Sequence, residues 1–542
     1  MMHSATRRTL SGILVAAALV GGVHAADTPE LIELIPPPEI AEPKPPTTAK
    51  ETAKPARKGS EDAPATAARK RSEDEPTVKG THYLSQKYNY GPQPGHTDRG
   101  YPGQPIPAFP GAEGWGADTP GGRGGKVMIV TNLNPDGPGS LQEACATPGP
   151  RIVVFAVSGV ISNTITIEHS NITIAGQTAP GAGITIEGML VTKPGIRDIV
   201  VRFVRVRPRP PDEVIRPDEE GGGALNLRLR GIQVDLKNAH ENWFAEYDAI
   251  KMSGNAYVVL DHVSCSWSHD ELIEFCYTHH VTVQWCTLEE TDVGKHQKYG
   301  GHHNFSLFCA YNQKDFITVH HCLLANSARR NPAIRDGVAD IRNNVIYNFK
   351  HGLSHDDNGR NEYNVVGNVF RSGPGPETFP GSRWGGAGAA PFCTTRETTY
   401  FCRDNWFDGK EIDITQGKLV DNPVEMPPVT TQPAMEAYEL VLARAGAWPR
   451  DAVTRRTVKD VQDRTGKWGR RDPEGGLMAG LTPRPAPQDT DRDGMPDDWE
   501  KKNGLDPAKD DSAKVMPNGY TAIEVYLAER AEALLEETRA GA

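Results

Sequence analysis

Tyr257-Val258-Val259-Leu260-Asp261-His262, Val281-Thr282-Val283-Gln284-Trp285-Cys286 and Ile317-Thr318-Val319-His320-His321-Cys322 are three versions of one short strand. Related strands lie on either side, at Asn171-Ile172-Thr173-Ile174, Ile199-Val200-Val201-Arg202-Phe203 and Asp340-Ile341-Arg342-Asn343-Asn344. With Val258, Val281, Ile317, Ala339 and Tyr363 as equivalent starts, the steps are 23, 36, 22 and 24 residues. The step back from Val258 to Ile199 is 59, which leaves room for a large insertion. A repeat of about two dozen residues, with period-two strands and no helix between them, predicts a parallel β-helix solenoid, an all-β fold. Each coil then lies on the previous one at the inter-strand spacing of ~4.8 Å, like on like. Cys286 and Cys322 share one phase of the repeat and Asn344 follows them, so the three are expected to stack in the interior, the cysteines as buried thiols. A β-propeller needs about 40 residues and four strands per blade, which this spacing does not supply.

The flanks of the repeat region differ in kind. The chain has 542 residues, 59 basic and 70 acidic, for a net charge of −11, with 55 glycines and 44 prolines. The acidic balance argues against a dedicated nucleic-acid binder. The lack of a Gly-X-Y period excludes collagen. Residues 1–25 read as a cleavable export signal: Arg7 and Arg8, an apolar run from Leu10 to Val23, and Val23-His24-Ala25 before the cut. Thr6 to Leu10 also has a weak twin-arginine look. Secretion to the periplasm or the extracellular space is therefore expected, with no integral membrane segment in the mature chain. Eight cysteines in a chain of this length are too few to form its scaffold. Residues 26–105 hold Pro36-Pro37-Pro38 and mixed charge with almost no periodic apolar residues, the composition of a flexible linker. The solenoid is assigned to 106–410. A helical brace and a linker follow at 411–485, with helices at Ala434 to Ala445 and Asp451 to Arg464. In the first of these Ala437, Leu440, Val441 and Ala445 share a face.

Residues 486–542 form a last module around Asp489-Thr490-Asp491-Arg492-Asp493-Gly494-Met495-Pro496-Asp497-Asp498-Trp499-Glu500. This fits a twelve-residue EF-hand-type loop. Asp489, Asp491, Asp493, Asp497 and Glu500 supply oxygen ligands at positions 1, 3, 5, 9 and 12, and Gly494 makes the sharp turn at position 6. The segment resembles the calcium loops of thrombospondin-type-3-like modules in exported bacterial proteins. A structural Ca2+ is expected there.

Within the solenoid, Asp248 and Asp270 are 22 residues apart, about one coil, and Glu274 follows Asp270 by four. Stacked carboxylates repel one another unless a cation holds them, and oxygen ligands suit calcium. Lys298, Arg330 and Arg335 lie downstream. A row of anionic ligands with its cation, beside a row of fixed positive charges, can grip an acidic polymer.

Longer stretches make the chain similar to the pectate lyases of polysaccharide lyase family 1 over about residues 108–410. They are Ala108-Phe109-Pro110-Gly111-Ala112-Glu113-Gly114-Trp115-Gly116, Gly121-Gly122-Arg123-Gly124-Gly125, Asn171 to Pro180, Leu260-Asp261-His262-Val263-Ser264 and Arg330-Asn331-Pro332-Ala333-Ile334-Arg335. The resemblance implies a right-handed parallel β-helix and calcium-assisted β-elimination of polygalacturonate or a related uronate polysaccharide. It assigns calcium to Asp248, Asp270 and Glu274, and the substrate lysine to Lys298, with Lys295 as the alternative. Arg330 becomes the base and Arg335 the clamp on a substrate carboxylate. Because a guanidinium keeps its proton at neutral pH, an alkaline optimum is expected. The insertion before Asp248 and the His-rich Gly300-Gly301-His302-His303 depart from the family pattern. Other readings are a lyase for a different or methylated uronate, a non-catalytic glycan-binding adhesin, and a β-helix glycoside hydrolase with paired carboxylates. A monomer is expected.

Overall fold

The computed structural model describes residues 106–209, 213–215, 226–229, 232–235, 247–292, 303–310, 316–335, 337–354, 361–375, 389–393 and 397–537. The export signal and linker expected at 1–105 lie outside the described residues. Three long parallel sheets of 11, 10 and 8 strands make up the solenoid. They are called here A, B and C. One coil runs from Ile250–Ser253 in sheet C to Ala256–Asp261 in sheet A and Ser264–Ser266 in sheet B, and returns to sheet C at Glu271–Cys276. The register reproduces the sequence repeat: Val258 pairs with Val281, Val281 with Ile317, Ile317 with Ala339 and Ala339 with Tyr363. Ile199 pairs with Val258, so the 59-residue step is also a single coil.

The inward side chains of all three sheets form one apolar core, with Ile174, Val201, Leu260, Val283, Val319 and Ile341 stacked along sheet A. Cys286, Cys322 and Asn344 do stack inside it. The line continues as an amide ladder. The Oδ1 atoms of Asn344, Asn368 and Asn405 accept from the N–H groups of Cys322, Asn344 and Asn368 at 2.9, 3.0 and 3.1 Å. Their Nδ2 groups donate to the carbonyls of Val319, Ile341 and Val365. Buried amides are tolerated because every coil supplies the next with a partner. Asn368→Leu, similar in size, strips bonds from Asn344 and Asn405 together. We expect it to lower unfolding free energy by about 2–3 kcal/mol in a urea titration, with the fold retained. All eight cysteines are free thiols.

Sheet A turns into sheet B at a single residue of positive φ: Phe203 (56°), His262 (51°), Trp285 (52°), His321 (53°), Asn343 (51°) and Gly367 (68°) on successive coils. A left-handed residue other than glycine is strained. Here the rings stack over one another, Phe203 on His262 at 4.6 Å and Trp285 on His321 at 4.3 Å between centroids. At Gly367 a Cβ would come within 2.4 Å of Asn343 Nδ2, so this corner excludes a side chain. The connections from sheet A to sheet B are thus uniform on these six coils, although residues 176–183 make a longer one earlier in the chain. Those from sheet B back to sheet C vary: four residues lie between Ser266 and Glu271, but residues 207–249, 290–304 and 372–389 make up the corresponding links on other coils.

Helices cover the outside. Leu141–Ala146, capped by Ser140 accepting from the Glu143 N–H, buries Leu141, Ala144 and Cys145 against the first coils. The sequence patterns did not point to it. The helix Ala434–Arg444 seats Ala434, Tyr438, Val441 and Leu442 on Leu323, Val345 and Val369 of sheet B, with Ala437 also buried and Leu440 half-buried. The helix Ala452–Asp463 starts at Asp451, whose carboxylate also takes both ends of a fork from buried Arg207 at 3.0 Å. The last helix, Ala522–Glu537, and Met495 pack on Ile152, Val154 and Ala175 of sheet A. The C-terminal residues therefore pack on the side of sheet A opposite the inward Val153, in a cluster separate from the solenoid's core. Among the described residues no helix is long and apolar enough to cross a membrane.

Candidate active site and candidate metal centres

Sheet C carries the expected acidic residues. Ile250 pairs with Ile273, so continuing the register two residues back sets Asp248 opposite Glu271. The Glu271 N–H donates to Asp248 Oδ1 at 3.0 Å. Asp270, one residue earlier, belongs to the same spot. Carboxylate oxygens of Asp248, Asp270 and Glu271 lie within 4.8 Å of one another, and all three residues are buried. Glu271 was missed in the sequence. The signal was available: the coil here is 23 residues, not 22, which aligns Asp248 with Glu271.

Glu274 is one turn of the pleat further on and meets Lys251, its register partner in the neighbouring strand. Lys251 Nζ lies 2.9 Å from Glu274 Oε1 and 3.1 Å from Asp248 Oδ2. The lysine thus ties Glu274 to the cluster, although Glu274 is not one of the three converging carboxylates. Lys251 was also missed, since a lone lysine after Asp-Ala-Ile looks like a surface charge. Removing a buried ion-pair partner leaves charge uncompensated. Lys251→Met is expected to cost about 3 kcal/mol of stability. Lys251→Met with Glu274→Gln should recover part of it, as chemical denaturation of both variants would read out.

His303 Nδ1 lies 2.7 Å from Asp270 Oδ1. His269 Nε2, beside Asp270, is 3.0 Å from Asp292 Oδ2, which fixes the entry to the strand. On the next coils Phe305–Ala310 and Ala333–Ile334 continue sheet C. Arg330 precedes the latter strand at a positive φ of 58°. Its guanidinium lies over Phe305 and Phe308, 4.3 and 4.0 Å from the ring centroids, and contacts the Glu271 carboxylate. Arg335 follows the same strand, half-buried, with its N–H donating to the Cys309 carbonyl at 2.9 Å. The two arginines thus bracket one short strand of sheet C. Lys298 and Lys295 lie outside the described residues, as do Gly300, Gly301 and His302.

The donor set fits a hard divalent cation. The residues are all-oxygen ligands, and Oε2 of buried Glu271 lacks a hydrogen bond among the described residues, while its Oε1 meets Arg330. The C-terminal loop fits for the same reason. Asp489, Asp491 and Asp493 converge within the same 4.8 Å limit, and Gly494 turns the chain at φ 89°. Fully buried Glu500 points both carboxylate oxygens there without a hydrogen-bond partner among the described residues. Burial first, then the charges of Asp493, Asp491 and Asp489, push Glu500 up to about 7. Asp497 plays a different part: its oxygens accept from the N–H and hydroxyl of Thr490 at 2.8 and 2.9 Å and close the loop.

No family model matches the chain. Among named relatives, the "Probable pectate lyase C" of Neosartorya fischeri is 33% identical over 441 residues, covering 78% of this chain and 93% of the relative. Those of Aspergillus fumigatus and Aspergillus flavus are 32% and 33% identical over 445 and 437 residues, with the same coverage. The chain belongs to the pectate lyase family. The shared length exceeds that of the solenoid, so the kinship takes in more than the 108–410 stretch that carried the resemblance in sequence. Among solved structures, a Bacillus subtilis pectate lyase variant aligns at 14% identity and a TM-score of 0.45, covering 64% of this chain and 98% of its own. The major allergen from cedar pollen aligns at 16% and 0.44, covering 62% and 92%.

Proposed function

We propose that this chain is a secreted polysaccharide lyase that cleaves polygalacturonate, or a closely related uronate polymer, by β-elimination on sheet C. One observation carries the reading: Arg330 of one coil reaches the Glu271 carboxylate of another, which joins this arginine and the acidic trio into one site. Asp248, Asp270 and Glu271 would hold a calcium ion, with Glu274 tethered beside them through Lys251. A bound calcium supplies positive charge to a uronate carboxylate and eases loss of the adjacent C5 proton.

The remaining work falls to the chain. Arg330 takes the C5 proton, the C4–O bond breaks, a C4–C5 double bond forms, and the leaving oxygen takes a proton from water, to which Arg330 then returns its own. Phe305 and Phe308 hold the guanidinium plane and shield it from water on one side. Arg335 and Lys298 fix the substrate carboxylate and stabilise the charge that develops. Because a guanidinium is protonated at neutral pH, turnover rises into the alkaline range. Residues 489–500 are read as a second, structural calcium loop of the thrombospondin-type-3-like kind. Residues 1–25 are read as the signal that exports the protein, which then acts as a monomer.

Kinship with pectate lyases favours neither a catalytically silent adhesin nor a hydrolase. The test is incubation with polygalacturonate and calcium, followed by ultraviolet absorbance of the unsaturated product. Reducing ends that appear without that absorbance would mean hydrolysis, and no new ends would mean binding alone.

A further inference from the structure

Away from sheet C, along the corner between sheets A and B, lies a cavity of about 230 Å3. Two stretches that the catalytic reading leaves unused meet in it, Phe109-Pro110-Gly111 and Asp261-His262. The last helix closes one side with Ala531 and Leu535, and Trp285 and Arg444 line another. His262 is only 6% exposed, yet its Nε2 has no hydrogen-bond partner among the described residues. The ring is held in place. Phe203 stacks on it, and its Nδ1 is 3.0 Å from Asp261 Oδ1.

Asp261 also accepts from Gln284 Nε2 at 2.8 Å and from Arg202 Nε at 2.7 Å. Burial works against its charge, but His262 and Arg202 outweigh burial and hold the carboxyl below the usual range. An ionised Asp261 takes the proton on Nδ1 as a hydrogen bond, so in the neutral ring Nε2 is left as an acceptor. Arg202 spends only Nε on Asp261. Its two terminal nitrogens make no hydrogen bond among the described residues, while its plane lies 3.6 Å from the Phe109 ring centroid.

The cavity therefore offers one acceptor for a hydroxyl, a forked cation for a carboxylate, and apolar walls from Phe109 and Leu535 for C–H faces; the two carboxylates that also line it, Glu113 and Glu532, are engaged by Thr430 and Arg444. Drug-sized ligands fill roughly 300–1,000 Å3. This volume suits one sugar ring and is too small for a run of polymer. We propose that the cavity is a binding site for a single hexuronate residue, its carboxylate held by Arg202 and one hydroxyl donating to His262 Nε2. The choice of sugar rests on the lyase reading above; the donor and acceptor pattern does not.

The test is calorimetric titration of the full chain with D-galacturonate, its trimer and D-galactose. His262→Phe is the informative variant. Phe203 occupies the same corner on the preceding coil, so the stack and the backbone turn should survive while the acceptor is lost. Expected are millimolar or tighter binding of D-galacturonate, binding of galactose at least tenfold weaker, and roughly tenfold loss in His262→Phe. That variant should still cleave polygalacturonate at the wild-type initial rate. Equal binding of the trimer identifies a polymer end as the natural occupant, and binding of the monomer alone identifies a released product. No binding of galacturonate, equal binding of galactose, or undiminished binding by a folded His262→Phe overturns the proposal. If the protein binds galacturonate through His262 but does not cleave polygalacturonate, the lyase reading falls and this site stands.

Discussion

Arg330→Ala is expected to reduce the initial rate of unsaturated product formation on polygalacturonate by roughly a thousandfold or more, in the range seen when a positioned proton acceptor and a charge-stabilising group are lost together. Circular dichroism should show the fold retained, while the unfolding midpoint falls because buried Glu271 loses its partner. The guanidinium packs on the outer faces of Phe305 and Phe308, outside the apolar core. Arg330→Lys separates the two contributions. A lysine keeps a positive charge near Glu271 but loses the flat contact with both rings and the forked donors. If the role is only electrostatic, Arg330→Lys retains most of the rate. If Arg330 removes the proton, the lysine variant works at a lower pH optimum, because an amine gives up its proton more readily. Near-full turnover in Arg330→Ala would move the base to another group. His303, held on Asp270, would be the first to examine.

The second large effect belongs to the C-terminal loop. Calcium at about a thousand times its dissociation constant is expected to stabilise the folded chain by about 4 kcal/mol. Glu500→Gln should remove most of that gain. The loop is built into the solenoid: Gly494 approaches Val127 and Val154 so closely that a Cβ there would lie 2.8 and 3.2 Å from them, and Met495 is fully buried beside Ile523. Loss of the ion should therefore appear as a lower unfolding temperature of the whole protein, read by calorimetry with and without chelator.

The sign reverses without the ion. Glu500 holds its proton up to about pH 7 in the folded chain but only to its ordinary 4.5 when unfolded. The folded state then binds more protons between these values, so stability falls as pH rises through that window. Glu500→Gln, with no charge to bury, should lack that fall. Identical calcium responses in wild type and Glu500→Gln would remove the loop from the account.

The fold was legible because a β-helix repeats its own register. Val258, Val281, Ile317, Ala339 and Tyr363 carry the same apolar phase, and a chain that stacks like on like has little freedom to slip. The two brace helices were equally plain from their 3.6-residue pattern. The site was only partly legible. Asp248, Asp270 and the arginines stand out by charge and spacing. Glu271 was hidden by a one-residue difference in coil length, and Lys251 by the fact that only three-dimensional neighbours reveal a buried lysine. Lys298 falls in a link from sheet B to sheet C, where the repeat is interrupted and period-two reasoning has nothing to follow.

Those links have a further consequence. The longest links enter between sheets B and C, just upstream of the strands that begin at Ile250, Phe305 and Ala390, while the links from A to B, residues 176–183 excepted, span one to three residues. Chain length thus varies most along the border of sheet C, the face proposed above to carry the chemistry. New loops can therefore be grafted there, and the choice among polymers altered, without retuning a single stacked layer beneath.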